Sequence, residues 1–448
     1  MNYANADIAR RTEVQIIFAG TDITTDIRPD FLSLDYTDVE EDETDDLQIT
    51  LQDAAGIWMM KWLNEAVQAA AKMKAVTKSA ADSGGGGTTY QVTPAIGLNV
   101  RAGPGTGYAR IGGLSCGTKI EVSAISNGWA TIQYSGRTAY VSATYIKQVG
   151  ASGVSSGGSS SSTQVSGMKI QAVIVQRNWY GDGKDMVLDC GEFELDSVKA
   201  AGPPAVVTIK GTSLPYASVV RQTKKSRAWE AYYLSGIANE IAENAGMGCM
   251  FLTGKNPYYT RREQYKTSDI TFLSGLCKDA GISLKVTNNI IVLFDQATYE
   301  RKKSVMTIKP GDGSYKKYTL SVGKAETEYQ SCRVRYTDPA TGRCISGIAY
   351  IEDYKEDNEK NQQLEVTAKV SNAAEAKALA TARLRLHNKY MRSGSFTLVG
   401  NVNAVAGANV TLEGWGMFDG KYVIKKAKHS VGKNGYTTTI DLRLALEG

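Results

Sequence analysis

Apolar and polar residues alternate with period two over most of the chain, which predicts a protein built chiefly of β-strands. Residues 13–18 (EVQIIF), 31–36 (FLSLDY) and 47–51 (LQITL) read as strands, with a turn at Ala19, Gly20, Thr21 and Asp22. From Trp58 to Ala81 the period changes: Met59, Leu63, Val67, Ala70 and Ala71 recur at helical spacing. That helix leads to a glycine-rich stretch, 83–89 (SGGGGTT), and a second Gly/Ser-rich stretch covers 149–167. Segments so poor in apolar groups cannot offset the entropy of ordering and behave as flexible linkers. Between them, residues 90–148 carry short strands separated by Gly-Pro and Asn-Gly turns, the pattern of a small all-β barrel. A linker on each side lets the ends of such a module leave and re-enter a host without straining it, so the module reads as an insertion.

Beyond the second linker the alternation resumes. Residues 168–175 (MKIQAVIV) form a strand, 185–198 two more, 201–204 (AGPP) a closing turn, and 205–211 a further strand. The first domain is therefore expected to be discontinuous, from 1–82 and 168–213. Residues 214–305 read as a small α/β unit. Its first helix puts Tyr233, Leu234, Ile237, Ala238, Ile241 and Ala242 on one face and stops at Gly246. Its second follows Ser268, with Phe272, Leu273, Leu276 and Cys277 apolar, and ends at Gly281. A hairpin then turns through Asn288 and Asn289, residues that tolerate positive φ. In 306–448, strands at 318–322, 331–336 and 345–351 are expected to pair. A helix over 373–390 follows Ser371 and Asn372, with Glu375 placed to complete a capping box. Strands at 395–399, 409–412, 422–424 and 437–442 complete a second β domain. The predicted class is mainly β with α+β: two β-barrel domains flanking a small α/β unit, plus the inserted barrel.

Length agrees with this division, since 448 residues exceed one ordinary core. With 51 basic and 46 acidic side chains the net charge is only +5, which does not point to electrostatic nucleic-acid binding. The densest basic run, 221–227, reads as a solvated surface. The six cysteines are scattered without CxxC spacing, which argues for mostly buried free thiols. Residues 1–11 lack a signal-peptide core and no stretch approaches about twenty apolar residues, so assembly in a bacterial cytoplasm without a membrane anchor is expected.

Candidate chemistry is sparse. The acidic run 38–46 reads as a solvated loop, facing solvent or a lumen; it lacks the ordered ligand spacing of a calcium loop. Of the two histidines, His387 lies beside Leu384 and Leu386 on a helix, and His429 follows a strand. Neither has the context of a nucleophile's base. Carboxylate pairs for glycoside cleavage are a matter of spatial separation and stay open at this point. Residues 103–107 (GPGTG) are a turn in the module and fit no phosphate loop. No enzyme, metal or cofactor is expected.

Two resemblances change the picture. The module's Asn99-Val100-Arg101, Gly103-Pro104, Asn127-Gly128-Trp129, the run 136–141 (GRTAYV) and Tyr145-Ile146 are similar to the bacterial SH3-like family, with Ala139 where that family usually has Gly. This implies binding of peptidoglycan or its peptides, with Tyr108, Trp129, Tyr134, Tyr140 and Tyr145 lining an aromatic groove. Trp129 and Tyr140 serve equally well as the core of a tiny barrel, and docking onto a neighbouring protein of the same assembly is a third reading.

Outside the module the chain resembles the phage late control gene D family, the central hubs of contractile tails. The residues that carry this are 190–198 (CGEFELDSV), Gly202-Pro203-Pro204, Trp229-Glu230, Ser268-Asp269-Ile270, 281–286 (GISLKV) and 418–424 (FDGKYVI) with His429. The resemblance implies a homotrimer whose subunits each hold two tube-type β-barrels, a ring of six. Such a ring meets the six-fold tail tube or tube-initiator protein on one side and a trimeric spike on the other, with baseplate wedge proteins around it. Type VI secretion relatives continue into a long β-helix; here the needle is expected to be a separate polypeptide. The setting implied is the baseplate of a contractile phage or a phage-tail-like bacteriocin. A peptidoglycan hydrolase targeted by the SH3-like module is the alternative.

Overall fold

A computed structural model describes residues 9–58, 88–92, 98–101, 103–104, 110–114, 118–126, 128–134, 137–148, 168–179, 181, 183–213, 223–323, 328–339, 341–356 and 361–446. The helix expected over 58–81 (apart from Trp58), the linkers (apart from Thr88 and Thr89) and Tyr108 lie outside the described residues. The chain divides into two compact units, Met1–Ala70 with Gln164–Gly448, and Ala71–Thr163.

The larger unit is organised by one thirteen-stranded sheet. Strands from both sides of the interval 59–167 pair directly in it. Arg11–Phe18 runs antiparallel to Lys169–Arg177, and Asp46–Gln52 to Val206–Thr212. Their inward residues, among them Ile16, Leu34, Leu47, Ile49, Ile170, Ile174, Phe193 and Ile209, share one core. The segment expected to make two strands over 185–198 is one strand, Met186–Ala201. It survives as one because Gly191, at φ +91°, absorbs a bulge in its pairing with Lys169–Arg177.

A second set of strands, including Arg392–Val399, Asn409–Leu412, Gly420–Gly432 and Gly435–Leu444, encloses a separate core around Phe396, Val410, Tyr422, Ile424 and Ile440. Strand Gly420–Gly432 joins the two sets: its first residues pair with Asn409–Leu412 and its last with Phe31–Val39. The strand expected at 318–322 belongs here. It spans Tyr315–Val322 and pairs with Arg392–Val399, not with Ser331–Thr337. Apolar alternation marks a strand but not its partner.

Ser331–Thr337 instead lies between Cys344–Tyr350 and Gln363–Thr367 in a small sheet of its own. Helix Ala373–Asn388 covers that sheet, burying Ala376, Leu379, Ala380 and Leu384 against Cys332, Val334 and Ala349. Asn372 accepts a hydrogen bond from the Glu375 amide at 2.8 Å, and Glu375 accepts one from the Ser371 amide at 2.8 Å. This is the expected reciprocal cap, with its return bond taken one residue earlier than the N-cap.

The middle unit packs helices Leu234–Asn244 and Asp269–Ala280 on a three-stranded sheet and a two-stranded ribbon. Ser268 caps the second helix, and Gly281 ends it in the left-handed conformation. Of the five cysteines among the described residues, all are free; Cys190, Cys277 and Cys332 are buried, Cys249 is half-buried and Cys344 is exposed.

The smaller unit is a seven-stranded sheet wrapped about Val92, Val100, Val122, Ala130, Ile132, Ala139 and Val141. Thr88 and Thr89, expected in the first linker, open its strand Thr88–Val92. Their backbone pairs with Glu121 and Val122, so ladder hydrogen bonds order two residues whose side chains alone would not.

Candidate functional site

The acidic run is not a solvated loop. Strand Phe31–Val39 delivers its first residues and strand Asp46–Gln52 takes up its last, so the run is pinned at both ends. Asp38, Glu40 and Asp45 are buried, at 5%, 2% and 2% exposure. Each carboxylate of the run through Asp45 meets a cation. Arg443 forks onto Glu40, with Nε–Oε2 2.7 Å and Nη2–Oε1 2.5 Å, and its Nη1 reaches Glu300 at 2.7 Å. Arg385 pairs with the same Glu300. Lys389 pairs with Glu41, which also accepts the Ser283 hydroxyl at 2.5 Å. Lys285 donates to Asp38 and lies 3.4 Å from Asp45. At the rim, Asp42 takes Lys278 at 3.1 Å and Glu43 takes Lys426 at 3.1 Å.

Backbone groups supply the remaining partners. The Ala406 amide donates to Asp38 at 2.8 Å and the Val39 amide to Asp45 at 2.9 Å. The cations come from the middle unit (Lys278, Lys285), from helix Ala373–Asn388 and the residue after it (Arg385, Lys389), and from the second set of strands (Lys426, Arg443). The run is thus the ionic junction of three parts of the chain. Spacing along the sequence held no sign of this, because each cation paired with the run lies 200 residues or more away.

Burial sets the electrostatics. It pushes the Asp45 carboxyl up to about 7, reinforced by the Asp38 charge and opposed by Lys285. The two carboxylates hold the Lys285 ammonium above its ordinary value in spite of burial. Burial also pushes His429 down to about 4, against the pull of the Asp38 charge. His429 is a packing residue: its Nδ1 is 2.7 Å from the Tyr436 hydroxyl, and its ring stacks on Tyr36 at 5.8 Å. His387 packs edge-on against Tyr329. Among the described residues no cluster of His, Cys, Asp and Glu has metal-site geometry.

The large sheet has two unlike faces. One row of register partners across eight strands reads Thr397, Thr439, Lys428, Thr37, Asp46, Thr212, Glu194 and Lys169. The adjacent row reads Leu398, Thr438, His429, Tyr36, Leu47, Gly211 and Leu195. The second row is buried; the first is polar throughout and, apart from the buried Thr212, at least partly exposed, as strand alternation requires when one face meets water. A shallow cavity of about 370 Å³ lies on this polar face, lined by Asp35, Thr37, Asp46, Gln48, Lys210 and Lys428 among others.

In the module the five expected site residues part company. Ala130, Ile132, Ala139 and Val141 point inward, so Trp129, Thr131 and Tyr140 occupy the opposite face. Tyr140 stands opposite Thr131 on one side and Arg101 on the other, and Trp129 is its diagonal neighbour. Tyr134 instead packs inward on strand Arg110–Leu114, its ring lying where a Cβ on Gly112 would fall, 2.4 Å from the hydroxyl. Tyr145 is half exposed in a short 3₁₀ turn after the strand that holds Tyr140. Trp129 and Tyr140 therefore share a surface, Tyr134 is part of the packing, and Tyr108 lies outside the described residues.

This architecture is that of phage tail proteins. The 43 kDa tail protein of prophage MuSo2 from Shewanella oneidensis is similar in fold at 10% identity, TM-score 0.51, over 97% of this chain and 99% of that one. The tail protein of Neisseria meningitidis MC58 is similar at 8% identity, TM-score 0.56, over 98% of each chain. By sequence, residues 214–435 match the phage tail baseplate hub family and residues 96–147 match the bacterial SH3 domain. No curated protein matches the sequence. Residues 214–435 therefore belong to the phage tail baseplate hub family, and the chain carries a bacterial SH3 domain at residues 96–147. No helix among the described residues is long and apolar enough to cross a membrane.

Proposed function

We propose that this chain is the non-catalytic hub of a contractile tail, joining the six-fold tail tube to a trimeric spike as a homotrimer. Residues 1–82 with 168–213 and residues 306–448 would be its two tube-type barrels, flanking the middle unit 214–305, so that three subunits present six. The particle is a contractile phage or a phage-tail-like bacteriocin, and the SH3 domain attaches it to the bacterial cell wall. The observation that carries the reading is the polar row across eight strands, which runs without interruption from one barrel to the other. A sheet with buried side chains on one side and mixed charge and hydroxyls on the other suits the wall of a water-filled conduit. The ionic junction supports the same reading, since Lys285–Asp38 and Arg443–Glu300 fix both barrels to the middle unit through buried pairs.

Imaging of assembled particles tests this directly, with density for three copies between tube and spike expected. Zymography on bacterial walls tests the hydrolase alternative. A clear lysis zone from purified protein would overturn the non-catalytic reading.

A further inference from the structure

Net charge is distributed unevenly along the chain. Residues 88–148 hold five basic side chains, Arg101, Arg110, Lys119, Arg137 and Lys147, and a single acidic one, Glu121. The module's net charge is therefore +4, out of +5 for the whole chain, which leaves +1 for the other 387 residues. Everywhere else acids and bases balance; within the module they do not.

The register places three of these cations, Arg101, Lys119 and Lys147, on the module's outward face. Lys147 stands opposite Gln91, and Gln91 opposite Lys119, so two exposed lysines flank one strand about 10 Å apart. Their strand neighbours Ile146, Val92 and Ile120 contribute to the core, which fixes the lysines outward. On another part of the same outer surface Arg101 stands opposite Tyr140, with Trp129 diagonal to it. A cation beside one aromatic side chain, with a second aromatic on the strand beyond, suits a sugar that carries an anion: the ring stacks, and the anion meets the guanidinium.

We infer that the SH3 module takes an anionic, phosphodiester-linked cell-wall glycopolymer, not the neutral glycan or peptide of peptidoglycan. This rests on the cell-wall reading above and names its ligand class. Sugars meet Trp129 and Tyr140, while phosphates meet Arg101, Lys119 and Lys147. Attraction of this kind releases counterions and weakens steeply with salt.

The test uses the full-length chain and purified walls of a Gram-positive host, either intact or stripped of phosphodiester polymers with hydrofluoric acid. Retention on intact walls is expected to fall about tenfold or more between about 50 and about 200 mM salt. It is also expected to be lost on stripped walls. The double variant Lys119→Gln/Lys147→Gln, changed only at exposed positions, should lose several-fold at low salt while its thermal melting stays that of the parent. Equal, salt-insensitive retention on both walls overturns the ligand class and leaves wall binding standing. Absence of retention on either wall overturns the wall reading itself. Equally tight capture of plain duplex DNA would show charge without selectivity, and also overturns the assignment.

Discussion

Arg443 carries more of the junction than any other side chain. It is 1% exposed and satisfies two buried carboxylates at once, Glu40 by a fork and Glu300 by its remaining nitrogen. A buried pair gives little net stability compared with an apolar pair, but losing one partner strands the other's charge. Arg443→Met should therefore lower the unfolding free energy by about 3–5 kcal/mol, read by denaturant titration. The double variant with Glu40→Leu should recover much of that loss.

The same region sets a pH dependence with two opposing arms. Asp45 in the folded chain is pushed up to about 7 from 3.8, first by burial and then by the Asp38 charge. Between those values the folded state holds a proton that the unfolded state lacks, so this contribution is complete at low pH and declines as pH rises. His429 is pushed down to about 4 from 6.5 by burial, so its contribution is complete above 6.5 and is lost as pH falls toward 4. Asp45→Asn should leave a profile that rises with pH, and His429→Gln one that falls. Denaturant titrations at pH steps check this, and identical slopes in the two variants would contradict it.

At the level of elements, much was legible and some was not. The caps at Ser268 and Asn372 and the left-handed stops at Gly246 and Gly281 stand where local chemistry predicts, because a cap depends only on residues within one turn. The Asn288–Asn289 turn was equally readable, with φ of 49° and 59°. What this turn does was not: the Asn288 side chain accepts the Glu192 amide at 2.8 Å and occupies the space that a side chain at Gly191 would need. Gly347 is a comparable case. A Cβ there would come within 2.3 Å of the Lys377 backbone nitrogen, so the helix can approach its sheet only over a glycine. Gly347→Ala should cost about 3 kcal/mol, against about 1 kcal/mol for loss of the cap in Asn372→Ala, with thermal melts ranking the two.

For the molecule as a whole, the prediction concerns the insertion. Residues 11–52 and 169–212 already share one sheet and one core, with no strand from 88–148 among them. Deleting Thr88–Gln148 and rejoining the ends should leave a chain that melts near the parent temperature and keeps the parent's mass state by light scattering. A deletion variant that aggregates or differs from the parent in oligomeric state would show that the module supports the rest of the chain.

The sequence by itself determined where strands and helices lie, where the chain is interrupted, and that the interruption is a bacterial SH3 domain in a hub. The elements and the interruption follow from periodicity, caps and turn residues, which act over a few positions; the SH3 and hub readings follow from the resemblance of spaced motifs. Only the tertiary structure decided which strand meets which: that 315–322 pairs with 392–399, that Gly420–Gly432 joins both sets of strands, and that Tyr134 turns inward while Trp129 and Tyr140 turn out. It also decided the fate of the acidic run. In sequence, charges so crowded belong in water; in the fold, Lys285, Lys389 and Arg443 arrive from distant segments, and paired charge can be buried where bare charge cannot.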